Sequence, residues 1–130
     1  VGCEAAEYLA ERGHEAAVIE MKDVIAADVT PENRRYMFAN FEEHHVLLRP
    51  SAKVSQFYPD GVDYTLADGT AGSLRGYDNV VLAMGSRSNA VLKETAEKVA
   101  PQVFVIGEAA KAPGNAVLAT HDALEAALQI

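Results

Sequence analysis

The chain has 130 residues, 49% of them apolar, and a formal charge of −8 from 11 basic and 19 acidic side chains. This length and apolar content predict one modest domain with a hydrophobic core and exclude a disordered chain. The acidic balance excludes a nucleic-acid-binding surface, because such a surface needs a basic patch to neutralise phosphates.

A few sequence features limit the cellular compartment of the chain and its capacity for disulfides and metal sites. No apolar run reaches the length of a membrane span, and no basic segment followed by an apolar one resembles a signal peptide. Cys3 is the single cysteine, which excludes an intrachain disulfide and favours a reducing, cytoplasmic setting. The four histidines show no metal-ligand spacing with Cys3, so we predict no metal site in this chain.

The first predicted elements are a helix and a short buried strand. Apolar and acidic residues recur at helical spacing on opposite sides of residues 2–12, and Gly13 supplies a C-terminal stop. The apolar run AAVIEM then predicts a buried strand that reaches its end at the carboxylate of Glu20.

A second helix is predicted over TPENRRYMFANFEEHH. Thr30 is the expected N-cap, Pro31 suits the first helical position, and Glu32 complements the helix dipole. The apolar side of this helix is formed by Met37, Phe38 and Phe41.

After Ala52 the hydrophobic period changes to two. Asp60-Gly61 and Asp68-Gly69 are hairpin-turn signals, and between them apolar residues alternate with polar ones. This pattern predicts a small antiparallel meander.

Two continuous apolar runs, NVVLAMG and VFVIGEA, have the pattern of buried parallel strands. The residues between them read as a connecting segment with some helix. The chain then ends in an Ala-rich helix with Val117, Leu124 and Leu128 on one side. The order of elements predicts an α/β, Rossmann-like three-layer nucleotide-binding domain with a β-meander crossover.

Three segments, taken in order, resemble the nicotinamide- and flavin-binding region of the multidomain NADH:flavin oxidoreductases. They are VGCEAAEYLAERGHEAAVIEM, NVVLAMGSRSN and VFVIGEAAKAPGNAVLATHDALEAA. The family is old-yellow-enzyme-like and includes enzymes of the 2,4-dienoyl-CoA reductase, 2-enoate reductase and trimethylamine dehydrogenase types. The resemblance covers essentially the whole chain.

The resemblance implies a domain organisation. Residues 1–89 would be an inserted NAD-binding domain truncated at its first strand, and residues 90–130 the returning tail of an FAD-type domain. The chain would then be a fragment of a larger enzyme. Gly2 would be the third glycine of the G-x-G-x-x-G motif, where it lets the helix pack closely on its strand. An ordinary helix-start glycine is the alternative interpretation of Gly2.

Two acids in the first segment are candidate NAD-binding residues. Glu20 ends the strand where an acid accepts hydrogen bonds from the adenosine ribose, which favours NADH over NADPH, although Lys22 nearby could tolerate a phosphate. Glu4 stands where related flavoproteins have an acid near the nicotinamide. A solvated strand end for Glu20 and a dipole-stabilised first-turn acid for Glu4 are the alternatives. Cys3 is interpreted as a small packing residue.

The resemblance also implies FAD-binding residues in the second half. Gly85 would permit close backbone approach to the cofactor, with Ser88 standing where the family often has proline. Gly107 and Glu108 belong to the motif whose acid meets the ribityl chain, with Glu108 in place of the usual Asp. The helix from about Asn115 would direct its N-terminal amides toward the isoalloxazine, with plain core packing as the alternative.

The expected parent is a flavin-dependent oxidoreductase that takes hydride from NADH and reduces an activated C=C bond or a related acceptor. NAD(H) and FAD would bind this region, with FMN and an iron–sulfur cluster elsewhere in the parent. No catalytic residue is assigned in this chain, because the chemistry belongs to the cofactors. The alternatives are a non-catalytic nucleotide-holding module of the trimethylamine dehydrogenase type and part of a flavoprotein disulfide reductase.

Two expectations concern the chain on its own. Without the first glycines of the motif it should bind NADH poorly and be inactive, because backbone donors to the pyrophosphate are lost. The parallel sheet would also lack a strand, and Val103 to Ile106 has the pattern to replace it. We predict that this segment pairs with the sheet, within one chain or in a strand-exchanged homodimer.

Overall fold

Helix α1 (Gly2–Ala10) and strand β1 (Ala17–Ile19) form as their patterns predict. The computed structural model describes residues 1–130, which fall into two units, Val1–Ala83 and Met84–Ile130. The predicted helix stop is confirmed: Gly13 adopts a φ of +83°, and its N–H donates to the carbonyl of Ala10 at 2.9 Å.

Helix α2 (Pro31–Glu43) supplies the centre of the core in the first unit. Thr30 is its N-cap residue and Pro31 is its first residue, as predicted, although the Thr30 side chain makes no capping hydrogen bond. Phe41 is only 2% exposed and packs with Met37 against small residues of α1. The buried cluster consists of Ala6, Ala10, Met37, Phe41 and Val46, with Phe38 partly buried beside it.

A parallel strand that the sequence patterns did not predict follows α2. Strand β2 (Leu47–Arg49) pairs with β1, with Ala17 opposite Leu47 and Ile19 opposite Arg49. The helical segment between β1 and β2 makes the long crossover that parallel pairing requires. The apolar residues that precede Pro50 were the available signal for this strand.

The predicted meander is confirmed. Strands β3 (Ala52–Tyr58), β4 (Gly61–Leu66) and β5 (Ala71–Arg75) form a three-stranded antiparallel sheet. The two connections are the Asp-Gly turns, and the register shifts once between Val54 and Gln56. The buried side chains of this sheet are Ala52, Val62 and Tyr64. Parallel and antiparallel sheets with helices therefore make an α/β, Rossmann-like fold.

The second unit contains little regular structure. It has a short helix α3 (Lys93–Glu97), a 3₁₀ turn (Gly107–Ala109) and a final helix α4 (Ala116–Ala127). Asn115 caps α4, since its side-chain oxygen accepts a hydrogen bond from the N–H of Leu118 at 2.9 Å. No residue of this unit is buried, and the predicted apolar side of α4 is exposed. None of the helices in the chain combines the length and the apolar character needed to cross a bilayer.

Two predicted strands are absent. Residues 79–85 and 103–106 form no strand, and the apolar side chains from Val80 to Leu82 are 47–62% exposed. A continuous apolar run becomes a parallel strand only where neighbouring strands satisfy its backbone and helices cover both faces. Neither apolar run has a paired neighbour, since the parallel sheet consists of β1 and β2 alone.

Pairing of Val103 to Ile106 with the sheet inside one chain is therefore wrong. Intramolecular pairing would have required the segment to extend alongside β1 or β2, and it forms no ladder with either. Exchange of the segment between two copies of the chain stays a prediction.

Candidate functional site

Glu20 is fixed at the carboxyl end of β1 by three backbone contacts. Its N–H donates to the carbonyl of Arg49, and its own carbonyl accepts from the N–H of Ala52, both at 2.9 Å. Its side-chain Oε1 accepts from the N–H of Lys22 at 2.9 Å. Glu20 is half-buried, and its Oε2 has no protein partner. The carboxylate thus has a defined orientation and one oxygen available to a hydroxyl donor.

Gly2 permits a close approach at the start of α1. A methyl group at this position would lie 2.9 Å from the Cβ of Ala83, a separation that would force one of the two segments to move. Helix α1 therefore lies against the segment that ends at Ala83 only because residue 2 has no side chain. This contact is of the kind that the third glycine of a dinucleotide-binding motif provides.

The other two polar candidates near α1 behave differently. The Glu4 carboxylate is 68% exposed and pairs with the α-amino group of Val1 at 2.9 Å. Cys3 is half-buried against the core cluster, and burial raises the pKa of its thiol. A thiol of raised pKa is protonated at neutral pH, which fits a packing role.

A groove that the sequence did not predict lies beside Lys22. Its lining includes the side chains of Lys22, Arg34, Arg35 and Phe38. Arg34 is already engaged, because its Nε donates to the carbonyl of Ile25 at 3.0 Å and its guanidinium lies 4.7 Å from the centre of the Phe38 ring. One side of the groove is therefore basic, and it includes Lys22, which follows Glu20 by two residues.

Gly107 is the first residue of the 3₁₀ turn in the second unit. Its φ is +60°, and a methyl group there would lie 3.2 Å from the Cβ of Ala119 on α4. The Gly107 N–H donates to Oδ2 of Asp122, also on α4, at 3.0 Å. Both the backbone conformation and the packing of α4 therefore favour glycine at this position.

Glu108 reaches forward from this turn to the start of α4. Its Oε1 accepts from the N–H of Gly114 at 2.8 Å and from the hydroxyl of Ser86 at 3.0 Å. Both hydrogen bonds lower the pKa of Glu108, and the bond from the Gly114 N–H contributes more than the bond from Ser86. The carboxylate is therefore ionised at neutral pH. Its extra methylene, relative to Asp, is used to reach these two donors.

Gly85 adopts a φ of +84°, and a methyl group there would meet no atom within 4 Å. The backbone conformation, not local packing, is what favours glycine, and the open space leaves room for a ligand. Ser88, which stands where a proline was expected, accepts a hydrogen bond from the N–H of Ala112 at 2.8 Å. A serine hydroxyl thus ties the segment after Gly85 to the segment that precedes α4.

The structure adds contacts that sequence reasoning did not assign. The backbone N–H of Lys22 orients Glu20, Ser86 and Gly114 hold Glu108, and Asp122 holds Gly107. Only the spacing of Glu20 and Lys22 offered a local signal. The Gly107–Asp122 bond spans 15 residues and could not be read from a pattern.

Comparison with known proteins identifies similarity along nearly the entire chain. The family model described as pyridine nucleotide-disulphide oxidoreductase matches residues 1–123. An NADH oxidase from Thermoanaerobacter brockii is 35% identical over 100% of the chain and 20% of its own length. A bilirubin reductase from Mediterraneibacter gnavus is 36% identical over 83% of the chain and 16% of its own length.

Solved structures agree on the architecture. A 2-naphthoyl-CoA reductase structure superposes with a TM-score of 0.81 and 29% identity, over 98% of this chain and 19% of that one. Histamine dehydrogenase from Rhizobium sp. 4-9 gives the same TM-score at 17% identity, over 100% of this chain and 21% of that one, which supports the fold alone. The chain thus spans about a fifth of the length of such relatives.

Proposed function

This chain belongs to the pyridine nucleotide-disulphide oxidoreductase family, and on that premise we propose that it forms the nicotinamide-binding region and part of the flavin-binding region of a larger NADH-dependent flavin oxidoreductase. The proposed boundaries are residues 1–89 for the NAD-binding domain and 90–130 for the tail of the FAD-type domain. Similarity to relatives several times longer supports a larger enzyme.

The orientation of Glu20 is the single observation that carries the NADH assignment. One carboxylate oxygen is occupied by the Lys22 N–H, and the other is unpartnered at the strand end. An acid at this place accepts hydrogen bonds from the ribose hydroxyls and repels a 2′-phosphate. Gly2 contributes the close helix packing that the motif requires. Glu4, exposed on the first turn of α1, is proposed to approach the nicotinamide.

The residues of the second unit fit the edge of an FAD site. Gly85 leaves open space beside its backbone, and Gly107 and Glu108 form an ordered turn with an ionised carboxylate. The free Oε2 of Glu108 is the atom that would accept from a ribityl hydroxyl. Bound FAD would supply two-electron transfer between NADH and the acceptor. The chain's own residues bind and orient the two cofactors.

The proposed acceptor is an activated C=C bond. The 2-naphthoyl-CoA reductase structure, at 29% identity over 98% of this chain, supports this choice, as does the similarity to a bilirubin reductase. The acceptor site, FMN and an iron–sulfur cluster are proposed to lie outside residues 1–130.

Two alternative functions remain in the same fold. Bacillithiol disulfide reductase from Staphylococcus aureus superposes over 72% of the chain with a TM-score of 0.62 at 18% identity, which supports the fold alone. A disulfide reductase would use a cysteine pair, and since this chain contains one cysteine, the pair would lie outside residues 1–130. A non-catalytic nucleotide-holding module would bind a nucleotide without oxidising NADH.

The proposal is tested on the purified full-length protein that contains this chain. We expect bound FAD, oxidation of NADH in preference to NADPH, and electron transfer to an α,β-unsaturated acyl thioester. A protein that holds FAD but reduces only a disulfide would support the disulfide reductase. A protein that holds a nucleotide and does not oxidise NADH would support the non-catalytic module, and a protein that holds neither flavin nor nucleotide would contradict all three.

A further inference from the structure

Asp122 is an acidic residue in the middle of an otherwise Ala-rich helix, and the proposed function does not use it. It lies on α4 and is half-buried, whereas the acidic neighbour Glu125 on the same helix is exposed. The Asp122 side chain is turned back toward the chain that precedes α4, where Oδ2 accepts from the N–H of Gly107 at 3.0 Å. Hydrogen bonds between a carboxylate and a backbone N–H are among the stronger ones in proteins.

Two carboxylates therefore hold the same turn from opposite directions. Glu108 reaches from the turn to the N–H of Gly114, just before α4 begins. Asp122 reaches from the second turn of α4 back to the N–H of Gly107. We call this pair of contacts the carboxylate clamp. The Glu108 contact ties the end of the Gly107–Gly114 loop to its start, and the Asp122 contact ties that start to α4.

The clamp matters because the other hydrogen bonds of Gly107 stay within its own turn. Its carbonyl accepts from the N–H groups of Ala110 and Lys111, both at 3.0 Å, whereas its N–H donates to Asp122 on α4. The preceding residues, Val103 to Ile106, form no strand, so no sheet hydrogen bonds fix their path. The positive φ of Gly107 is also a conformation that glycine leaves readily, since it has many others of similar energy. The Asp122 carboxylate supplies the acceptor that selects one orientation of the Gly107 peptide.

We infer that Asp122 is a positioning residue for the flavin site: by accepting from the Gly107 N–H it fixes the turn that presents Glu108 to FAD. This inference rests on the proposed function. Asp122 does not touch the cofactor; it acts through Gly107. Loss of the acceptor would leave the turn free to adopt other orientations, so FAD binding would weaken while NADH binding, assigned to the first unit, would not change.

The experiment compares four variants of the full-length flavoprotein in FAD titration, visible circular dichroism of the bound flavin and melting of the apoprotein. Asp122→Ala removes the acceptor and should weaken FAD binding about tenfold, the loss of one charge-assisted hydrogen bond, with a changed flavin dichroism. Asp122→Asn keeps a neutral acceptor and should stay within about threefold of the parent value. Glu125→Ala is the matched control, with the same charge change on the same helix, and should behave as the parent protein.

Asp122→Glu keeps the charge and moves the acceptor by one methylene, so it decides the question if Asp122→Ala does not fold. We expect Asp122→Glu to weaken FAD binding and change the flavin dichroism at an unchanged apoprotein melting temperature. Parent-like FAD affinity and dichroism in either Asp122→Ala or Asp122→Glu would overturn the role of Asp122. An unmodified protein that does not bind FAD would instead contradict the proposed function.

Discussion

The two units of this chain differ in the interactions that stabilise each of them internally. Val1–Ala83 has a buried cluster centred on Phe41, which is 2% exposed, and a meander with its own buried residues. Met84–Ile130 has no buried residue, and its apolar side chains at Val117, Leu124 and Leu128 are 58–77% exposed. It is instead held by hydrogen bonds that side-chain carboxylates accept from backbone N–H groups, as at Glu108 and Asp122.

Apolar burial in the first unit stabilises the fold, whereas the polar contacts of the second unit set the geometry of a turn. Burial of apolar surface contributes most of the free energy that opposes chain entropy, whereas a hydrogen bond contributes only about 0.5–1.5 kcal/mol net. The first unit therefore has the composition of a cooperative folding unit. The second has the features of a segment whose turn geometry is specified by polar contacts and whose apolar surface requires a further partner.

The sharpest test of this comparison is removal of the central core side chain. Phe41→Ala should lower the free energy of unfolding of the first unit by about 3–5 kcal/mol, because it deletes a fully buried ring. Urea denaturation followed by circular dichroism measures the change. Tyr36→Ala on the same helix, 72% exposed, should change it by less than about 0.5 kcal/mol. Equal effects of the two variants would mean that α2 does not organise the core.

A second test addresses the candidate NAD-binding residue of the first unit. Glu20→Arg in the full-length enzyme should reduce the ratio of NADH to NADPH specificity constants at least about tenfold, because it removes repulsion of the 2′-phosphate and adds a cation. Steady-state kinetics with both cofactors measures the ratio. Glu15→Arg, an exposed acid that precedes β1, is the control. If Glu20 is only a solvated strand end, the ratio will not change.

A third test addresses the polar contacts of the second unit. Glu108→Asp shortens the side chain by one methylene, so its carboxylate should lose the Gly114 N–H and the Ser86 hydroxyl. We expect FAD binding by the full-length enzyme to weaken about fivefold, while Glu108→Gln, which keeps an acceptor at the same reach, should lose less. Titration of the apoprotein with FAD measures both. Tighter binding by Glu108→Asp would show that direct ribityl contact outweighs the loop contacts.

The exposed apolar surface of the second unit gives a fourth test. If Val103 to Ile106 is exchanged between copies, the 130-residue chain should have twice the monomer mass in light scattering coupled to size exclusion. Val105→Pro removes a backbone donor that strand pairing needs and should restore the monomer. Val99→Pro, at an 85% exposed site outside the segment, is the control. A monomer at all concentrations would end the exchange hypothesis.

The smallest expected effect is a pH dependence in the meander. Arg75 donates to the Asp63 carboxylate, Tyr58 donates to Oδ2 at 2.9 Å, and these bonds lower the pKa of Asp63 from its ordinary value of 3.8. A lowered pKa in the folded state stabilises the fold above pH 3.8, and this contribution is lost as the pH falls below that value. Asp63→Asn should flatten the pH dependence of unfolding below pH 4. The exposed Asp78→Asn, for which no contact constrains the carboxylate, should leave it as in the parent chain.

The local sequence was sufficient for the elements whose stability is local. Helical spacing and Gly13 predicted α1, the Thr30-Pro31 pair predicted the start of α2, and the two Asp-Gly turns predicted the meander. In each case the hydrogen bonds close within the element or across one short turn. The sequence also placed the acid of Glu20 at the end of β1, since a strand end is determined by where the apolar run stops.

Tertiary structure decided what depends on distant partners. The apolar runs at 79–85 and 103–106 have strand patterns but are not strands, because a parallel strand needs a neighbouring strand to satisfy its backbone and neither run has one. Strand β2 formed from a weaker pattern because β1 lies beside it. The orientation of Gly107 likewise depends on Asp122, 15 residues away, and only the path of α4 brings that carboxylate to the Gly107 N–H.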